Sequence, residues 1–166
     1  MDAGLAGRDG EDVEQLRIGV VAVLARSKGD SGMQYLRELF EKEPDRRAVI
    51  AMGLAQTPTG ENWPLLIRSI PVIEGRMAGE VLLKLASVDE TPTEPEQIRQ
   101  LILFGLRHEN KTLRQRTIAL LEHWTDDTAG DEKDSPESIL TAWQGWFTEE
   151  YPDEPEARLP VAAETD

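Results

Sequence analysis

The sequence predicts an all-α protein, with about eight helices stacked as antiparallel pairs into an α-solenoid. Three observations predict it. Apolar residues recur at helical spacing in one segment after another, and no segment reads as a strand. The stretch 31–56 reads as two short helices joined by a tight turn at Pro44, and such a hairpin cannot bury its faces without stacking on neighbours. Comparable stripes then repeat at intervals suited to helix pairs. Leu36, Leu66 and Leu101 stand 30 and 35 residues apart, and Ala48, Ala78 and Thr117 stand 30 and 39 apart.

Taken in order, residues 1–10 are too polar to pack alone and form a lead-in. Gly4-Leu5-Ala6 followed by Gly10-Glu11 is echoed by Gly53-Leu54-Ala55 followed by Gly60-Glu61, and more weakly by Gly105-Leu106. On that echo, the first residues are the end of a repeat helix whose beginning is missing. The echo would group helices in threes, whereas the stripe spacing favours pairs. Glu11–Lys28 is the first full helix, with Val13, Leu16, Val20, Val23 and Leu24 inward and Gly29 as its C-cap.

In the 31–56 hairpin, Ser31 with Gln34 is a capping-box pattern. Met33, Leu36, Leu39 and Phe40, with Tyr35, mark the first stripe. Pro44 stops that helix, and Asp45 is the expected N-cap of the next, whose stripe is Ala48, Ile50, Ala51, Leu54 and Ala55. A turn at 57–60 leads to a short helix, Asn62–Ile70, which tolerates Pro64 only because it falls in the first turn. Pro71 closes it. Ile73–Ser87 follows, with Met77, Ala78, Val81, Leu82 and Leu85 inward.

Thr93 and Glu96 form a second capping-box pattern around Pro95, opening a helix that carries Ile98, Leu101, Ile102 and Leu106. After a turn at 108–111, Leu113–Trp124 presents Leu113, Thr117, Leu120, Leu121 and Trp124 on one face. Residues 125–134 are polar and read as an exposed loop. Ser135 and Pro136 open the last helix as N-cap and first helical residue. It runs to about Glu150 with Ile139, Leu140, Trp143, Trp146 and Phe147. The domain thus spans 11–150, and 151–166 is an acidic, Pro-rich linker or tail, not a packed element.

Composition excludes several chemistries. With no Cys, this chain can hold no disulfide, Cys-ligated zinc, Cys nucleophile or covalently attached haem. The first residues lack a basic start and an apolar run, so no signal peptide is expected, and no stretch reaches the ~20 apolar residues of a membrane span. The net charge of −14 is concentrated at one end. Residues 126–166 hold 13 acidic residues against Lys133 and Arg158, a net of −11, whereas residues 1–125 carry 19 acids and 16 bases, a net of −3. Such an end opposes general nucleic-acid binding, which rests on neutralising phosphates.

No constellation for catalysis emerges. His108 and His123 belong to no HxxxH or HExxH pattern, and the acidic run 126–134 lacks the spacing of a calcium loop. No GxSxG, Walker-type loop or GxGxxG occurs. No cofactor or metal is expected in the chain. Two sets of residues stand out. Arg46, Arg47, Arg76, Arg114 and Arg116 recur near the starts of second helices, as a candidate basic ladder for an acidic partner segment or the chain's own tail. Trp124, Trp143, Trp146 and Tyr151 form the densest aromatic group, either a ligand-stacking site or a cap that closes the core at the C-terminal end.

The turn Glu43-Pro44-Asp45-Arg46-Arg47-Ala48 between apolar helices resembles the turn of HEAT-type repeats, over most of residues 11–124. That resemblance implies a right-handed superhelix of helix pairs. The stretch Leu120-Leu121-Glu122-His123-Trp124-Thr125, with Ala142-Trp143-Gln144, Trp146-Phe147 and Tyr151-Pro152-Asp153-Glu154-Pro155, resembles the segment that precedes the c-type cytochrome domain in large bacterial multidomain haem proteins. The chain departs from them in having no CxxCH, so no haem-ligating residue carries over. The resemblance implies the helical-repeat region of such a protein, in an extracytoplasmic (periplasmic) setting.

The expected function is therefore a non-catalytic scaffold, monomeric in isolation, that contacts a protein or a neighbouring domain. The alternatives are a small carboxylate-dependent hydrolase and a ligand-binding module built on the Trp group.

Overall fold

A computed structural model describes Val21 and residues 30–160. Among these residues there are seven α-helices and no strand: α1 Asp30–Lys42, α2 Arg47–Leu54, α3 Trp63–Ser69, α4 Gly75–Leu85, α5 Pro95–Arg107, α6 Lys111–Thr125 and α7 Pro136–Glu150. Short 3-10 turns at Pro44–Arg46 and Gly60–Asn62 lead into α2 and α3. The fold is all-α, as the periodicity predicts. The expected helix Glu11–Lys28, its Gly29 cap and the N-terminal echo lie outside the described residues, apart from Val21, which is helical and buried.

The chain forms two compact units, one ending at Val81 and the other starting at Leu82, with α4 running across the division. In the first, α1 packs on α2 and α2 packs on α3. Leu36, Phe40, Ile50, Ala51, Leu54, Leu66 and Ile70 supply buried apolar surface there. Among the described residues its one large buried polar side chain, Asn62, is fully engaged. Asn62 accepts from the Arg37 guanidinium at 3.1 Å and donates to the Thr57 carbonyl at 2.8 Å. Burying an amide without such partners costs roughly 1–3 kcal/mol.

In the second unit, α5, α6 and α7 pack mutually. The predicted face of α6 is wholly buried: Leu113, Thr117, Leu120, Leu121 and Trp124. Thr117 belongs there because its hydroxyl donates to the Leu113 carbonyl one turn back, which satisfies it within its own helix. Phe104 and Ile102 of α5, and Leu140, Trp143 and Phe147 of α7, complete the core.

Several local expectations are corrected. Ser31 lies inside α1 and is not its N-cap. Asp45 lies within the 3-10 turn, and α2 starts after Arg46 without a side-chain cap. Pro44 fixes φ at the first position of a turn, and that turn tightens into 3-10 geometry before the α-helix begins. The capping box of α5 is shifted by one residue: Glu94 is the N-cap, and the Gln97 side chain accepts from its backbone N–H. Pro95 occupies the first helical position as expected. Helix α4 starts at Gly75, two residues later than the apolar pattern suggests, and Gly75 has φ of +54°, which favours glycine. Tyr35, placed with the inner stripe of α1, is half exposed.

The start of α7 is as expected. Ser135 accepts from the Ser138 backbone N–H, with Pro136 next to it. Asn110 likewise caps α6 by accepting from Leu113, a cap that the sequence did not lead us to expect.

The largest correction concerns residues beyond Tyr151. They form no helix, yet the segment is pinned. Ala157 is 1% exposed. Its carbonyl accepts from the Gln144 amide of α7, and the Glu156 carbonyl accepts from Arg99 of α5 at 3.3 Å. The expectation that nothing here packs therefore fails at Ala157. Residues 161–166 lie outside the described residues.

Candidate functional site

Three surface features bear on function, and each is positioned by helix packing. The first is the set of arginines. Arg46 pairs with Glu43 at 2.6 Å. Arg47, at the start of α2, donates from Nε to the Phe40 carbonyl at 3.0 Å and lies over the Phe40 ring. Arg114, in the first turn of α6, donates from Nε to the His108 carbonyl at 2.6 Å and pairs with Glu137 at 3.1 Å. The same device recurs in both hairpins: an arginine opening the second helix satisfies a carbonyl left over at the end of the first. Arg76 is exposed on α4, and Arg116 is half-buried on α6. Arg46 and Arg47 are thus committed to partners within their own hairpin, and Arg114 to its own hairpin and to Glu137 of α7.

Sequence reasoning passed over a further cluster beside Arg47. Glu41 receives Arg68 from α3 through both carboxylate oxygens. That hydrogen bond, with the Arg68 and Arg47 charges against a weaker opposing effect of burial, holds the Glu41 carboxyl below its ordinary pKa. Arg68 also lies over Phe40. A helical spacing shows no such pair, because Glu41 and Arg68 meet only when α3 docks.

The second feature is the aromatic group. Trp143 is 0% exposed and Trp124 is 6% exposed, so their faces are spent on the core. Trp146 stands edge-on to Trp143 at 5.0 Å and to Tyr151 at 6.1 Å. Phe147 and Tyr151 are 5.1 Å apart. The Trp146 indole N–H donates to Asp127 at 2.8 Å, which ties the loop after α6 to α7. Trp143, Trp146, Tyr151 and Phe147 thus contact one another edge-on or tilted, the preferred geometry of aromatic pairs.

The third feature was not singled out from the sequence. A groove of about 700 Å³ runs between α6 and the chain entering α7. Lys111, Gln115, Ile118, Ala119 and Glu122 form one wall, a continuous stripe along α6. Glu132, Lys133, Asp134, Pro136 and Ile139 form the other. Ile118 and Ile139 give it apolar surface, and Lys111 and Lys133 with the carboxylates of Glu122, Glu132 and Asp134 rim it with charges of both signs. The i, i+4, i+7, i+8, i+11 spacing on α6 was available in the sequence, but its mixed polarity hides it from a hydrophobic-periodicity search.

Among the described residues, no group of three or more His, Asp or Glu side chains is arranged to hold a metal ion. His108 instead bonds the Phe104 carbonyl at 2.8 Å and stacks on that ring, and His123 bonds the Val88 carbonyl at 2.7 Å. No described helix is long and apolar enough to cross a membrane. Compared with protein-family models, curated proteins and solved structures, the chain gives no match.

Proposed function

We propose that this chain is a non-catalytic helical-repeat scaffold that contacts a protein partner or a neighbouring domain by shape and charge complementarity. The observation that carries this reading is the groove along α6. Its apolar strip inside a mixed-charge rim has the anatomy of a protein interface, with a dry centre and a polar edge. The stapled helix hairpins support a HEAT-like solenoid, in which such grooves are the contact surfaces. The resemblance of the C-terminal stretch to the segment before a c-type cytochrome domain makes a domain of that kind the first partner to try. Burial of Trp124 and Trp143 weighs against a ligand module built on the aromatic group.

The test is an NMR titration of the isotope-labelled protein with a c-type cytochrome domain and with the polypeptide that flanks this chain in its reading frame. Shifts concentrated at Gln115, Ala119, Glu122 and Ile139, and abolished by Ala119→Arg, are expected. Shifts confined to other surfaces, or none with either partner, would overturn the groove as the contact site.

A further inference from the structure

On a different face of the same unit, α5 and α7 hold residues 154–158 in a way that resembles a bound peptide more than a packed element. Glu156 and Ala157 are grasped through their main-chain carbonyls, by Arg99 of α5 and Gln144 of α7. The Arg158 backbone N–H bonds the Glu156 carbonyl at 2.9 Å, which makes a γ-turn centred on Ala157. Only the Ala157 methyl is buried; Asp153, Glu154, Arg158 and Leu159 are exposed. Arg99 is itself oriented by Glu96, which takes its Nη1 at 2.8 and 2.9 Å and leaves Nε free to aim at the segment. Glu156 spends its carboxylate on Arg158 of the same segment at 2.6 Å, so its side chain contributes nothing to the docking.

We propose that the α5–α7 surface is a binding groove for a polypeptide segment that makes a tight turn with a small residue at its centre, and that residues 154–158 are its occupant in cis. Recognition runs through two carbonyls and one methyl-sized pocket, a pattern that main-chain readers share. The segment underfills the site. A crevice of about 220 Å³ remains beside it, lined by Thr141, Gln144, Gly145 and Thr148 of α7 and by Glu156 and Arg158. A side chain added at Gly145 would meet nothing within 4 Å. An occupant bulkier than the cis segment therefore has room.

The cis segment is suited to exchange. One buried methyl and a few hydrogen bonds oppose the ordering entropy of a Pro-rich stretch, so the closed state is only narrowly favoured. Tethering nonetheless gives the segment an effective concentration on the order of millimolar, and a free peptide must compete against it. This inference does not depend on the α6 groove.

The experiment titrates a fluorescent peptide of residues 152–160 into the full chain and follows anisotropy. In the unaltered protein the groove is occupied, and binding is weak. In Ala157→Arg the cis segment no longer fits, and the peptide should bind at least about tenfold more tightly. Adding Gln144→Leu to that variant should abolish the gain, and a peptide with Arg in place of Ala157 should not bind. Equal binding by the unaltered chain and a folded Ala157→Arg would overturn the proposal.

Hydrogen exchange on the unaltered chain gives an independent reading. Amides of 156–158 should exchange well before those of α5 and α7. If they exchange together with α7, or if Ala157→Arg fails to fold, the segment is an integral part of the unit and the proposal is wrong.

Discussion

Asp127 lies outside any helix, yet its carboxylate accepts the Trp146 indole N–H at 2.8 Å and the Thr128 backbone N–H at 2.7 Å. Both donors favour the charged form, the indole most, and they lower its pKa. A depressed folded-state pKa contributes stability that is present above the unfolded value, about 3.9, and is lost as pH falls through the lower folded value. The Trp146 indole resonance should therefore titrate with a midpoint below about 3.9 and should stop titrating in Asp127→Asn. A midpoint above that value would contradict the geometry. Two glycines make a second residue-scale contrast. A Cβ at Gly105 would stand 2.8 Å from Leu140 Cδ2 and 2.9 Å from Thr117 Cγ2, and the Thr methyl cannot swing away. Gly105→Ala should cost about 1–3 kcal/mol for overpacking, offset by up to ~1 kcal/mol of helix propensity. Gly145→Ala meets open space and should stabilise by about 0.5–1 kcal/mol. Urea denaturation of the two variants should move the midpoint in opposite directions.

At the scale of elements, the hairpins are held by more than their apolar stripes. Arg114 links the end of α5 to the start of α6 through the His108 carbonyl, and reaches Glu137 on α7. The carbonyl bond lies where the chain turns, on a guanidinium only 15% exposed, whereas Glu137 is 69% exposed. Arg114→Ala should therefore cost about 1.5–3 kcal/mol, the range for hydrogen bonds to charged groups. Glu137→Ala should cost no more than about 1 kcal/mol, as for an exposed ion pair. Chemical denaturation of both variants checks this, and equal losses would mean that the ion pair carries the effect. Helix existence and the buried face of α6 were legible from apolar period alone, and the start of α7 from the cap and first-turn preferences of Ser135 and Pro136. The starts of α2 and α5 were misread because Asp45 and Thr93 are good caps by type. Which residue caps a helix depends on where the backbone leaves the extended region, and flanking prolines moved that point.

Across the whole molecule, charge rather than shape is the property the sequence states most directly. A net charge of −14 and an isoelectric point near 4.6 make copies repel one another at neutral pH. Light scattering should rise to a maximum near pH 4.6 and fall again below it, because self-repulsion vanishes where net charge does. A minimum of scattering there would mean that association is driven by something other than lost charge.

The sequence by itself determined the all-α class, the existence of the described helices and their inner faces apart from Tyr35, and the exclusion of cysteine chemistry. These follow from residue type and local period, which need no knowledge of what lies across the core. It also pointed to Trp124, Trp143, Trp146 and Tyr151 as a group, because they fall within two neighbouring helices and the residue after them. Tertiary structure alone decided the rest. Glu41 meets Arg68 across 27 residues, and Arg99 meets the Glu156 carbonyl across 57. The groove along α6 exists only because the chain entering α7 runs beside it. Ala157 is buried because two side chains from separate helices hold the backbone on either side of it. Nothing in a stretch of prolines and acids marks one alanine for burial, since that depends on side chains distant in the chain and brought to one place by the packing of α5 on α7.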